Sequence, residues 1–180
     1  MRLSPSPIFP EVLIIEPDLI TDKRGYLMET YHQEKFAAAG IDIGFVQDNQ
    51  SSSTHRILRG LHYQIKRPQG KLVRVLCGEV FDVSVDIRRS SPNFGKWFGI
   101  ILSEHNKKIL YIPPNFAHGF CVLSDKAEFL YKCTDFYNPD YERAIRWNDP
   151  DLSIKWPIKD PILSKKDASC PFFKDAELPP

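Results

Sequence analysis

The string RGLHYQ, residues 59–64, sets His62 in a short apolar–polar alternation that reads as a β-strand. Imidazole titrates at about 6.5 when unperturbed, so a histidine aimed into a cavity can take and return protons near neutral pH. A lone strand histidine is more often packed or merely exposed, and its role depends on the groups that join it. Lys71, in KLVRVLCGEVFDVSVDIR, shares a face with Val73 and Val75. Lysine is seldom buried unpaired. It is either a strand-end side chain reaching into water or a cation at the mouth of a barrel, facing a bound group. IPPNFAHGF brings His118 to the start of a strand behind the stiff Pro113-Pro114 turn. AEFLYKC alternates Phe129, Tyr131 and Cys133 on one face, which taken alone is a packing pattern. QDNQSSS offers amide and carboxylate groups that either shape a turn or read a ligand's polar edge.

The elements that must position these groups are nearly all strands. EVLIIEP, FVQDNQSSS, ILRGLHYQ, KLVRVLCGEVFDVSVDIR, WFGIILSE, KKILYIPP, HGFCVLS and AEFLYKCTDFY carry period-two patterns, most of them cut by Gly, Pro, Asn or Ser. Within the longest run the pattern resets after Gly78. Phe81, Val83, Val85 and Ile87 then fall on one face, and Asp82, Ser84 and Asp86 on the other. EKFAAAG alone looks helical, with Gly40 in a C-terminal capping position. Many short strands at close spacing predict a sandwich or barrel rather than βαβ units. After Asp135 the chain turns rich in proline and aromatic residues, which predicts an ordered, irregular cover with a short helix. The expectation is one all-β domain over residues 1–180. One local conflict stands out: Arg59 and His62 are three apart, so ideal alternation puts them on opposite faces unless Gly60 allows a bulge or twist.

Composition narrows the function classes. The 180 residues contain 24 Lys+Arg against 23 Asp+Glu, so no long-range field points to nucleic acid or to an anionic membrane. MRLSPSPIFPEV lacks the apolar stretch of a signal peptide, and nowhere do about 18 apolar residues run together. A cytoplasmic protein is expected, with Cys77, Cys121, Cys133 and Cys170 as reduced thiols. His32, His55, His62, His105 and His118 are scattered, with no HxH pair, so no metal is expected. GxGxxG and P-loop patterns are absent, and nothing supports a cysteine nucleophile.

Taken together, RGLHYQ, QGKLVRVLCGEVFDVSVDIR, SPNFGKW, IPPNFAHGF, LYKCTDFYNP and LSKKD, in that order, resemble the dTDP-4-dehydrorhamnose 3,5-epimerase family, from DKRGYLMET to the C-terminal LSKKD. The resemblance implies a cupin-like jelly-roll barrel, a homodimer without metal or cofactor, and a dTDP-linked 4-keto-6-deoxy sugar as substrate. By resemblance His62 is the catalytic base, Asp167 its carboxylate partner and Tyr131 the acid on the far side of the sugar. Lys71, Arg59 and His118 match groups around the keto oxygen and phosphate. Arg24, Glu29, Gln47, Asp48, Asn49, Glu142 and Lys166 match nucleotide-sugar contacts, and Tyr137 matches the aromatic that stacks on thymine. A relative inverting only carbon 3, one acting on another nucleotide-linked keto-sugar, and a non-catalytic sugar-nucleotide-binding cupin remain as alternatives. So does a metal-dependent cupin oxygenase or isomerase, which the missing HxH pair disfavours.

Overall fold

The computed structural model describes residues 1–179, among which thirteen strands and two short α-helices form. The strands are β1 Arg2–Pro5, β2 Leu13–Glu16, β3 Leu19–Asp22, β4 Gly25–Met28, β5 Gln47–Thr54, β6 Leu58–Gln64 and β7 Lys71–Cys77, followed by β8 Glu79–Asp86, β9 Trp97–Ser103, β10 Ile109–Ile112, β11 Phe116–Val122, β12 Lys126–Cys133 and β13 Glu142–Ala144. Helix α1 spans Gln33–Ala38 and α2 spans Lys165–Ala168. Two antiparallel sheets face each other, one in the order β1-β2-β10-β7-β12-β5 and the other β13-β6-β11-β8-β9, with β3-β4 as a separate hairpin.

The side chains between the sheets form the main core, with Val73, Val75, Leu110 and Phe129 from the first sheet against Val80, Leu102, Phe120 and Val122 from the second. Each sheet also buries much of its outer face. Phe36 of α1 and Ile41 cover Ile15, Leu72, Ile109 and Tyr111. The chain after β13 lays Ile145, Leu152 and Ala176 over Leu61, Val83, Val85 and Ala117. Three apolar layers remove far more surface from water than one sheet interface could, at about 25 cal/mol per Å². The irregular segment after β13 is therefore fixed by packing rather than by helix or strand propensity.

The run from Lys71 to Ile87 is two strands in different sheets. Gly78 makes the corner at φ +80°, and a Cβ there would lie 2.0 Å from the Lys126 carbonyl oxygen, so only glycine fits. Beyond this corner β8 points Val83 and Val85 outward, under the C-terminal cover. Asp82, Ser84 and Asp86, all fully buried, face the space between the sheets. Polar groups inside a barrel mark the place where the core gives way to a site. The β3-β4 hairpin was not evident from alternation, because it is exposed along nearly its whole length and no packing face imposes a period. Among the described residues no helix is long and apolar enough to cross a membrane.

Candidate active site

Two adjoining lobes of roughly 270 and 280 Å³ open between the sheets and share Asn49, His62, Lys71 and Tyr131 as walls. One wall comes from β6 and β11. In their pairing His62 lies opposite His118 and Arg59 opposite Phe120, so Gly60 and Leu61 face the single residue Gly119. That extra residue is a β-bulge, and it restores Arg59 and His62 to one face. Gly60 holds φ +122°, and a Cβ on it would come within 2.5 Å of the Gly119 Cα. The strand conflict in the sequence is thus resolved by the glycine beside it.

The other wall comes from β7, β12 and β5. Cys133 pairs with both Lys71 and Gln47, and Tyr131 pairs with Asn49, so these side chains share the inner face. The imidazole of His62 and the phenol of Tyr131 therefore look at each other across the cavity. Glu142 on β13 and Tyr137 in the loop before it close the rim, where the Tyr137 hydroxyl donates to Glu142 Oε2 at 2.6 Å. That bond, then burial, pushes the phenol up to about 12. Lys166 Nζ donates to the same Oε2.

His62 is held from behind. Its Nε2 lies 2.6 Å from Asp167 Oδ1, and Asp167 is buried. Ser164 Oγ donates to Asp167 Oδ2 at 2.8 Å and accepts the Asp167 N–H at 3.0 Å, acting as N-cap of α2. Burial alone would raise the Asp167 carboxyl. The hydrogen bonds from His62 and Ser164, with the charge of Lys166, outweigh burial and hold it below the ordinary aspartate value. An ionised carboxylate can only accept, so Nε2 carries the proton and the lone pair sits on Nδ1. Burial depresses the ammonium of Lys71 and the imidazole of His118, and raises the phenol of Tyr131. His118 Nε2 meets Asp82 Oδ2 at 2.9 Å.

Most of the residues expected from sequence meet here, with one correction, Asp48, and two, Arg24 and Glu29, that lie away from the cavity of their own chain. Asp48 lies on the outer face of β5, between Gln47 and Asn49 in sequence but opposite to them in direction, and pairs with Lys132 at 3.0 Å. Arg24 sits exposed at the β3-β4 turn against Asp22, and Glu29 just beyond the hairpin pairs with Lys35 at 2.7 Å. Neither reaches the cavity of its own chain. Two residues were missed. Asp82 was hidden because the polar face of FDVSVD looks like a solvated face in sequence. Ser164 carried a readable signal, since the Ser-x-x-Asp spacing of SKKD is that of a capping box. Among the described residues no three His, Cys, Asp or Glu side chains group as a metal site.

A carboxylate-backed imidazole thus faces a tyrosine across a lysine-bearing cavity between the sheets, an arrangement that can take a proton from one face of a bound molecule and return one to the other. The family model for dTDP-4-dehydrorhamnose 3,5-epimerase matches residues 7–175. The dTDP-4-dehydrorhamnose 3,5-epimerase of Pseudomonas aeruginosa is 55% identical over 173 residues, 95% of this chain and 96% of that protein. A dTDP-6-deoxy-D-glucose-3,5-epimerase from Legionella pneumophila, solved with dTDP-4-keto-L-rhamnose, superposes with a TM-score of 0.95 at 48% identity, covering 99% of this chain and 97% of that one. A 3'-monoepimerase from Streptomyces bikiniensis, solved with dTDP-quinovose, gives 0.89 at 33%, over 95% and 87%. The chain belongs to the dTDP-4-dehydrorhamnose 3,5-epimerase family.

Proposed function

We propose that the chain epimerises dTDP-4-keto-6-deoxy-D-glucose at carbons 3 and 5, giving dTDP-4-keto-L-rhamnose for dTDP-L-rhamnose synthesis. The observation that carries this reading is the pair His62 and Tyr131 on opposite walls, with Lys71 on β7 lining the same cavity. Hydrogens on carbons 3 and 5 are both α to the ketone at carbon 4, so one base can serve both. His62 Nδ1 takes a proton from one face, and Asp167 stabilises the imidazolium that forms. The electron pair moves onto the carbonyl oxygen as an enolate. Lys71 meets charge that exists mainly beyond the ground state, the condition under which a fixed cation lowers a barrier. Tyr131 returns a proton to the opposite face and inverts the centre. Its burial suits this, because a raised phenol stays protonated until an enolate approaches.

Arg59, His118, Gln47 and Asn49 are placed to hold the sugar and diphosphate, and Tyr137 at the rim to stack on the base. Arg24 and Glu29 can contact the nucleotide only if a second copy lays its β3-β4 hairpin over this cavity. That requirement, with Ile20 and Leu27 about two-thirds exposed on the hairpin, supports a homodimer. No cofactor enters the scheme, and we place the protein in the cytoplasm as a single domain over residues 1–180. Incubation with the keto-sugar nucleotide in D2O tests the reading by NMR. Deuterium with inversion at both carbons is expected. Inversion at carbon 3 alone would make it a monoepimerase, and no exchange at either carbon would overturn the assignment.

A further inference from the structure

We propose that Asp82 is a positioning residue for the site: its carboxylate fixes the orientation and tautomer of His118 in the lobe that Lys71 also lines. The inference rests on the role given above to His118. Asp82 is fully buried on the inner face of β8, and its one hydrogen bond is the 2.9 Å contact from His118 Nε2. Its other oxygen, Oδ1, has no partner among the described residues. Ser84, next along the same face, donates to neither neighbour.

Asp86, two positions further, shows how a structural carboxylate is held in this strand. Arg88 donates to both of its oxygens at 2.8 and 2.7 Å, and Ser91 Oγ and the Arg88 N–H add two more bonds. Asp82 has no such cradle. A buried carboxylate with one hydrogen bond stabilises a fold less than an apolar side chain of equal size would. Its presence is explained instead by what faces it. His118 lines the lobe that Lys71 also lines. Burial lowers the His118 imidazolium. The Asp82 carboxylate accepts the hydrogen bond from His118 Nε2–H, which leaves Nδ1 as the acceptor nitrogen on that ring.

Asp82→Asn keeps the shape and an oxygen for His118 while removing the charge. An amide can donate as well as accept, so it no longer imposes one tautomer on His118. Turnover should fall about 100-fold, and 15N-histidine NMR of the variant should show His118 leaving the Nε2–H form that the wild type holds. Near wild-type turnover, or a His118 that keeps the wild-type tautomer, would overturn the role. A wild-type enzyme inactive on the keto-sugar would overturn the functional reading and this inference with it. Should Asp82→Asn fail to fold, 15N-histidine NMR of the wild type decides. His118 should be the neutral Nε2–H tautomer from pH 6 to 8, and an Nδ1–H tautomer or an imidazolium would sink the proposal.

Discussion

His62 and Tyr131 divide one reaction between two walls, and their variants should fail differently. His62→Ala leaves no carboxylate-backed base in the cavity, so deuterium exchange at both carbons should stop. Tyr131→Phe keeps the ring that packs beside Phe129 and removes only the proton. In that variant His62 still abstracts a proton and returns solvent deuterium to the same face, so exchange continues while inversion falls by about 10²–10⁴. Deuterium content and stereochemistry at each carbon, read by NMR, check both. Wild-type exchange in His62→Ala would place the base elsewhere, and normal double inversion in Tyr131→Phe would do the same for the acid.

Among the elements, β6 carries the most consequence per residue. The bulge at Gly60 puts Arg59, His62 and His118 on one wall, and a methyl group at Gly60 meets backbone at 2.5 and 2.7 Å. Gly60→Ala should cost about 2–4 kcal/mol in chemical unfolding, since backbone contacts this close cannot be relieved by rotating a side chain. Whatever protein folds should lose most of its turnover as His62 is displaced, and a stable, fully active variant would show that the bulge is not needed. The turn after β8 is held differently. Asp86 would be raised by burial, yet the bonds from Arg88 and Ser91 more than offset this and keep its carboxyl below the ordinary value. A depressed carboxyl stabilises the fold above its unfolded value of 3.8, and that contribution is lost as pH falls through the lower folded value. Asp86→Asn should therefore cost about 2 kcal/mol at pH 7. The gap from wild type should narrow only below about pH 4, and a gap that is constant with pH would count against the ion pair.

At the scale of the molecule, the two sheets bring base and acid together while the β3-β4 hairpin stands apart with Arg24 and Glu29. A two-stranded ribbon is marginally stable alone, and Ile20 and Leu27 are left in water. Under the dimer proposed here, Ile20→Glu with Leu27→Glu should give a monomer by analytical ultracentrifugation and weaken dTDP binding about tenfold or more. A dimer of unchanged affinity would mean that the hairpin serves neither purpose.

The local order of strands and the helix before Gly40 were written in the sequence, because alternation and capping depend only on neighbours along the chain. Which side of each strand is the inside was not. Asp48 reads like its neighbours Gln47 and Asn49 until β5 pairs with β12 and turns it outward. Asp82 reads like a solvated residue until β8 is covered on its apolar face by the C-terminal segment, which leaves the polar face to line the barrel. Asp167 lies 105 residues from His62, and only the docking of α2 on the sheet makes the contact. Alternation assigns residues to two faces but carries no sign. The sign is set when a face finds its cover, and that cover comes from distant parts of the chain.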